Sequence, residues 1–211
     1  RGKDWWKVDV TVAGREDRPQ DGQTREAGNL LLPVGTRDTA LRALWLVVPD
    51  LGVPDPDTLL VQALTGQDDD GVGDPQAPAG SAERGFVRVS RRGRVFHPLT
   101  WRRAAIVLTD TCVIIRHGRW RRQVSVIPYE RIQSLNVQRG PLDRRLSLAS
   151  LRFDMVAREV PTSIPNLEAA DAKALAAQIS QRALRRSSAE QLDRWFARAV
   201  IATQAAGPSA R

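Results

Sequence analysis

Between Arg102 and Val156 short apolar runs alternate with turn residues, a rhythm that commits this part of the chain to antiparallel sheet. The predicted strands are Arg102 to Leu108, Thr111 to Arg116, Trp120 to Ile127, Ile132 to Gln138 and Leu148 to Val156. His117-Gly118 offers a tight hairpin, Pro128-Tyr129-Glu130-Arg131 an irregular crossing, and Gly140-Pro141 a stop. In Leu151-Arg152-Phe153-Asp154-Met155 the apolar residues take alternate positions, so one face of that strand is wet. A short strand at about Val160 to Ile164 follows. Ala170, Ala174, Leu175 and Ile179 then mark an amphipathic helix to about Leu184. A second helix is expected over Ser188 to Ala202, with Leu192, Trp195, Phe196, Ala199 and Val200 on its stripe.

The N-terminal part echoes this ending. Trp6, Val8, Val10 and Val12 share one face of a predicted strand, and Leu30 to Val34 form a second after a polar loop. Thr36 is a plausible N-cap for a helix whose Ala40, Leu41, Leu44, Trp45 and Val48 recur at helical spacing. The order strand, loop, short strand, helix therefore occurs at residues 6–48 and again at 151–179. Trp6-Lys7-Val8-Asp9-Val10 matches Leu151-Arg152-Phe153-Asp154-Met155 in pattern, as Ala40-Leu41-Arg42-Ala43-Leu44 matches Asp171-Ala172-Lys173-Ala174-Leu175. Residues 1–52 thus read as the back half of a module whose complete copy occupies 85–185. Between them, 53–84 hold a short helix over Asp57 to Leu64 and a Gly/Asp/Pro linker. Residues 186–211 are a C-terminal helix and tail. A half-module without its strand partners leaves a sheet edge open to association.

Charge divides the chain more sharply still. Residues 1–83 carry 8 basic and 15 acidic side chains, and residues 159–211 carry 7 and 5. Residues 84–158 carry 17 arginines and no lysine against Asp110, Glu130, Asp143 and Asp154. The middle block, at net +13 within a total of +8, should attract anions through a field that salt weakens. The alternative is that these arginines are simply the solvated faces of strands.

Several classes of function lack their residues. With one cysteine, Cys112, there is no internal disulfide or cysteine-based zinc site, and Cys112 in its apolar run reads as a small buried hydrophobe. His97 and His117 are the two histidines, and no metal spacing or catalytic constellation includes them. The Asp-rich run Gln67 to Gly71 lacks the alternating ligands and closing glutamate of a calcium loop. No phosphate-binding or dinucleotide glycine motif occurs. A non-enzymatic chain without cofactor or small-molecule substrate is expected. No apolar stretch approaches the roughly 20 residues that span a bilayer. Opening at Arg1 without a leader pattern, the chain reads as a portion of a longer protein.

An ordered set of motifs adds a family. Leu108-Thr109-Asp110, Ile115-Arg116-His117-Gly118-Arg119, Val126-Ile127-Pro128-Tyr129-Glu130-Arg131-Ile132-Gln133-Ser134-Leu135 and Arg139-Gly140-Pro141-Leu142-Asp143-Arg144-Arg145-Leu146-Ser147-Leu148-Ala149 succeed one another. Over about residues 100–183 the chain resembles the bacterial pleckstrin-homology-like family of membrane-flanked proteins. The resemblance implies a mainly β fold: a curved antiparallel barrel or sandwich of about seven strands closed by a C-terminal helix, preceded by the C-terminal half of a second such module. It also implies tandem copies joined by transmembrane helices outside this chain, with the modules on the cytoplasmic side of the cell membrane. Here only the Gly/Asp/Pro linker separates the two copies.

The strongest binding candidate is the hairpin Arg116-His117-Gly118-Arg119-Trp120-Arg121-Arg122, where Arg116, Arg119, Arg121 and Arg122 accompany an amphipathic indole. Alternatively, Trp120 starts a strand and packs inward while the arginines keep the hairpin soluble. Arg139, Arg144 and Arg145 join the patch if both turns open on one side. The expected partner is an anionic membrane surface. A protein scaffold or homo-oligomer is the second reading, because such sheets present edges to partners. Nucleic acid ranks third, since the basic block lacks lysine, offers few exposed-looking aromatics for base stacking and carries no recognition-helix or RNA-binding signature.

Overall fold

The computed structural model describes residues 5–9, 30–48, 50–66, 85–98, 101–118, 122–155 and 162–205. Two sheets pack face to face over one core. The first has the order β3(Val87–Arg88), β4(Ala105–Leu108), β5(Cys112–His117), β6(Gln123–Pro128), and the second β7(Ile132–Gln138), β8(Leu148–Met155), β9(Ser163–Glu168). All pairings are antiparallel. The strands form separate sheets, a sandwich of the expected mainly β class without closure into a barrel. Ile106, Leu108, Val113 and Ile115 meet Leu151, Phe153, Ile164 and Leu167 between the sheets. Helix α4(Ala169–Ala205) closes the open side with Ala172, Leu175 and Ile179.

Preceding the sandwich, β1(Trp5–Asp9) and β2(Leu30–Thr36) pair antiparallel and run into α1(Arg37–Val47). Thr36 caps α1 as its side-chain chemistry predicts, its hydroxyl oxygen accepting from the Thr39 N–H. The order β1, β2, α1 repeats that of β8, β9, α4.

α2(Pro56–Thr65) starts at the N-cap Asp55, whose carboxyl is held below its ordinary range by bonds from Thr58. It lies on the outer face of the first sheet. Leu59, Leu60 and Ala63, with Val48 and Leu51, bury Ala105, Val107, Cys112 and Ile114 in a second core. Both faces of β4 and β5 are therefore covered, which is why these strands read as unbroken apolar runs rather than alternating ones. Turn 50–53 docks on the β4–β5 turn, where the Thr111 hydroxyl donates to the Asp50 carbonyl at 2.9 Å.

Three local expectations change. The two predicted C-terminal helices are one, because Arg185-Arg186-Ser187-Ser188 contains no breaker; the helix runs through although both serine hydroxyls bond back to the Leu184 carbonyl. The β5–β6 connection is not a tight two-residue turn: His117 pairs with Gln123, leaving residues 118–122 to close it. Gly140-Pro141 does more than stop a strand, for Pro141 is the first residue of a short helix, α3(Pro141–Arg145).

Candidate functional site

Three connections converge on one end of the sandwich. Ala105 pairs with Arg88 on one side and Arg116 on the other, so the β3–β4 and β5–β6 connections leave the first sheet at the same end. The β3–β4 connection opens with a 3-10 turn, Arg91–Val95, capped by the Ser90 hydroxyl. Arg92 then ties this turn to the β7–β8 connection, which contains α3. Its Nη1 donates to the Leu146 carbonyl at 3.4 Å and lies 3.7 Å from Glu168 Oε2. The Ser90 hydroxyl also bonds Glu168, and the Ser90 N–H donates to the Asn166 carbonyl at 2.9 Å. Gly93 is required by this approach, because a Cβ there would lie 2.5 Å from Asn166 Cβ.

The guanidinium groups at this end divide into struts and free heads. Arg92 is a strut, and so is Arg139, whose Nε donates to the Leu148 carbonyl at 3.1 Å. Arg91, Arg94, Arg122, Arg144 and Arg145 are exposed and make no ion pair among the described residues. The nearby carboxylates are engaged: Glu168 holds Arg92, and Asp143 accepts from the Gly140 N–H at 2.8 Å to cap α3. The opposite end, formed by the β4–β5 and β6–β7 turns, exposes Asp110 and Glu130 beside Arg131. Positive charge is thus gathered at one pole, where it raises the local anion concentration.

Set beside the sequence-predicted residues, this geometry keeps some and separates others. Arg122, Arg139, Arg144 and Arg145 are exposed at the converging end. Arg119, Trp120 and Arg121 lie outside the described residues. Arg116 requires a correction, because it is fully buried and faces α2 rather than solvent. Its Nε donates to the Arg103 carbonyl at 2.7 Å, its Nη1 to the Gln62 carbonyl at 3.2 Å, and its Cζ lies 4.7 Å from the Phe86 ring centre. It is a structural cation at the C-terminal turn of α2, where helix carbonyls favour positive charge. His117 contributes no charge near neutral pH either, since burial pushes its imidazole below the ordinary value. The arginines of the 3-10 turn, Arg91, Arg92 and Arg94, were not predicted. Ser90 ahead of Arg91-Arg92-Gly93-Arg94 is their one local signal, an N-cap followed by clustered positive charge.

Apolar groups sit among these charges. Phe96, His97, Pro141, Leu142 and Pro165 line an open groove of about 480 Å³ with Asn166 at its wall. Among the described residues no group of three or more His, Cys, Asp or Glu side chains could hold a metal ion. No described helix is long and apolar enough to cross a membrane.

The architecture, seven strands in two sheets followed by a long helix, agrees with a comparison of the sequence with known families. No curated protein and no solved structure matches the chain. The family model described as the bacterial PH domain matches residues 86–183, from Phe86 under the Arg116 guanidinium to Ala183 on α4. Residues 86–183 are therefore similar to the bacterial PH domain family, and that match supports a binding module of unspecified kind.

Proposed function

We propose that the domain binds anionic lipid head groups at the cytoplasmic face of the bacterial membrane, the setting that its resemblance to membrane-flanked proteins implies. The observation that carries this reading is the pole of exposed guanidinium groups at Arg91, Arg94, Arg122, Arg144 and Arg145, which make no ion pair among the described residues. Arg119, Trp120 and Arg121, which fall between β5 and β6 in sequence, are proposed to take part in the same binding. Guanidinium groups suit phosphates because their planar forks bond two oxygens at once. Each basic residue near an anionic surface contributes about 1 kcal/mol, so a handful is enough for salt-sensitive attachment.

Co-sedimentation with vesicles tests the reading. Binding to phosphatidylglycerol-containing vesicles and not to phosphatidylcholine alone, lost at high salt and in an Arg119/Arg121/Arg122→Ala variant, is the expected result. Failure to bind anionic vesicles at low salt overturns it.

A second reading, a scaffold or self-assembling module, is favoured by a different observation. The two-stranded β1–β2 sheet and α1 expose Leu31, Val34, Leu46 and Val47, apolar surface of the kind that marks contacts. Association through that surface would persist at high salt.

A further inference from the structure

Resting on the lipid reading above, we infer that Val95, Phe96 and Leu142 form an apolar tip that enters the acyl boundary of an anionic bilayer while the surrounding arginines hold the head groups. Among the described residues of 86–183 the large apolar side chains left exposed are Val95, Phe96, Val137 and Leu142. Val95 is 74% exposed, Leu142 60% and Phe96 36%. They are not scattered. Val95 and Phe96 end the 3-10 turn, Leu142 is on α3, and Phe96 and Leu142 line the same groove. Val137 lies at the end of β7 that leads into α3.

Charge identifies the occupant. Arg91 and Arg94 precede the first two apolar residues in the same turn, and Arg144 and Arg145 follow Leu142 on the same short helix. An apolar tip ringed by cations matches a surface that is apolar below and anionic above, which is the layering of an anionic leaflet. The tip is also braced. Arg92 bonds the Leu146 carbonyl and Glu168, and Gly93 packs directly on Asn166, so both halves of the tip are fixed to β9 and to each other. A braced tip loses little freedom on insertion. Burial of one such side chain strengthens partitioning by about tenfold or more.

The chain's one cysteine makes the test direct. Cys112 is fully buried, so a Val95→Cys variant can be labelled at the new thiol with a polarity-sensitive fluorophore. The labelled protein is mixed with phosphatidylcholine vesicles containing a quarter phosphatidylglycerol, with and without brominated acyl chains, and bound protein is measured in parallel by co-sedimentation. Insertion predicts a blue shift on binding and quenching by the bromines. A Val95/Phe96/Leu142→Ser variant should still attach at low salt but bind about a hundredfold more weakly at physiological salt. If the protein co-sediments while the probe stays water-like and unquenched, insertion is overturned and the head-group reading stands. If nothing co-sediments, both fall and the pole is left to a protein partner.

Discussion

Arg116 Nη1 donates to the Gln62 carbonyl at 3.2 Å while the same guanidinium lies 4.7 Å from the centre of the Phe86 ring, so one buried cation joins β5 to the last turn of α2. Arg103 completes the arrangement, its Nη1 reaching the Thr65 carbonyl at 2.8 Å and its Nη2 the Leu64 carbonyl. Gly66, at φ 70°, ends the helix beneath them. The helix that covers the first sheet is therefore held at its C-terminal end by charge as well as by apolar contact.

Removing that cation should be felt in stability and not in anion binding. Arg116→Ala strips donors from the Gln62 and Arg103 carbonyls and opens a void against Phe86, at a cost of about 3 kcal/mol by denaturant unfolding. Arg116→Lys keeps the charge but loses the planar stack and should recover only part of it. Vesicle binding of the folded fraction should match the parent protein, and a selective loss of binding would show that Arg116 reaches the ligand.

Tyr129 gives the fold a defined response to alkali. Its hydroxyl donates to the Thr109 carbonyl at 3.0 Å, and burial raises its pKa from 10.0 to about 12. The protonated phenol is the form favoured in the fold. Its contribution is complete below pH about 10 and is lost as pH rises from there through about 12, roughly 3 kcal/mol in all. Tyr129 is the chain's one tyrosine, so phenolate absorbance reports it alone. Ionisation should be delayed to the alkaline side of the free phenol, and Tyr129→Phe should abolish this part of the pH slope. Titration near pH 10 in the folded protein contradicts the prediction.

Cys112 reports on α2. The thiol is buried beneath the helix with Leu60 and Ala63 in the second core, and burial pushes it above the ordinary thiol range. Thiol reagents should modify it slowly in native protein. Leu60→Ala should speed labelling by loosening α2, since such truncations cost about 2–5 kcal/mol, whereas the exposed change Leu142→Ala should not. Equal rates in the Leu60→Ala and parent proteins would place the rate-limiting opening elsewhere.

Gly93→Ala tests the brace between the 3-10 turn and β9. The new methyl would meet Asn166 Cβ at 2.5 Å, so the turn must shift. A loss of about 1–3 kcal/mol is expected, together with weaker vesicle binding as Arg91 and Arg94 move away from Arg144 and Arg145. Unchanged stability would mean that the turn and strand part at no cost.

What the sequence disclosed followed periodicity. β7, Ile132 to Gln138, has the expected limits, and Thr36 caps α1 because a hydroxyl before a 3.6-residue repeat is a local signal. Arg116 was misplaced for a reason equally physical. It shares a face of β5 with Cys112 and Ile114, but that face counts as interior only once α2 covers it, and this contact joins residues far apart in sequence. The meeting of Arg92 with Leu146 and Glu168 is likewise tertiary, so Arg91 and Arg94 were visible in the sequence only as net charge in one segment, whereas Arg122, Arg144 and Arg145 stood beside recognisable turns.

Whether charge position or merely net charge directs the domain is the central question, and two variants of equal charge decide it. Arg91/Arg94/Arg144/Arg145→Ala removes four guanidinium groups from the proposed pole, and Arg131/Arg152/Arg185/Arg186→Ala removes four from β8, α4 and the opposite turn. Affinity for phosphatidylglycerol-containing vesicles should fall about a thousandfold in the first, from about 1 kcal/mol per residue, and little in the second. Equal losses in the two variants would contradict the account, reducing the pole to a share of the total charge.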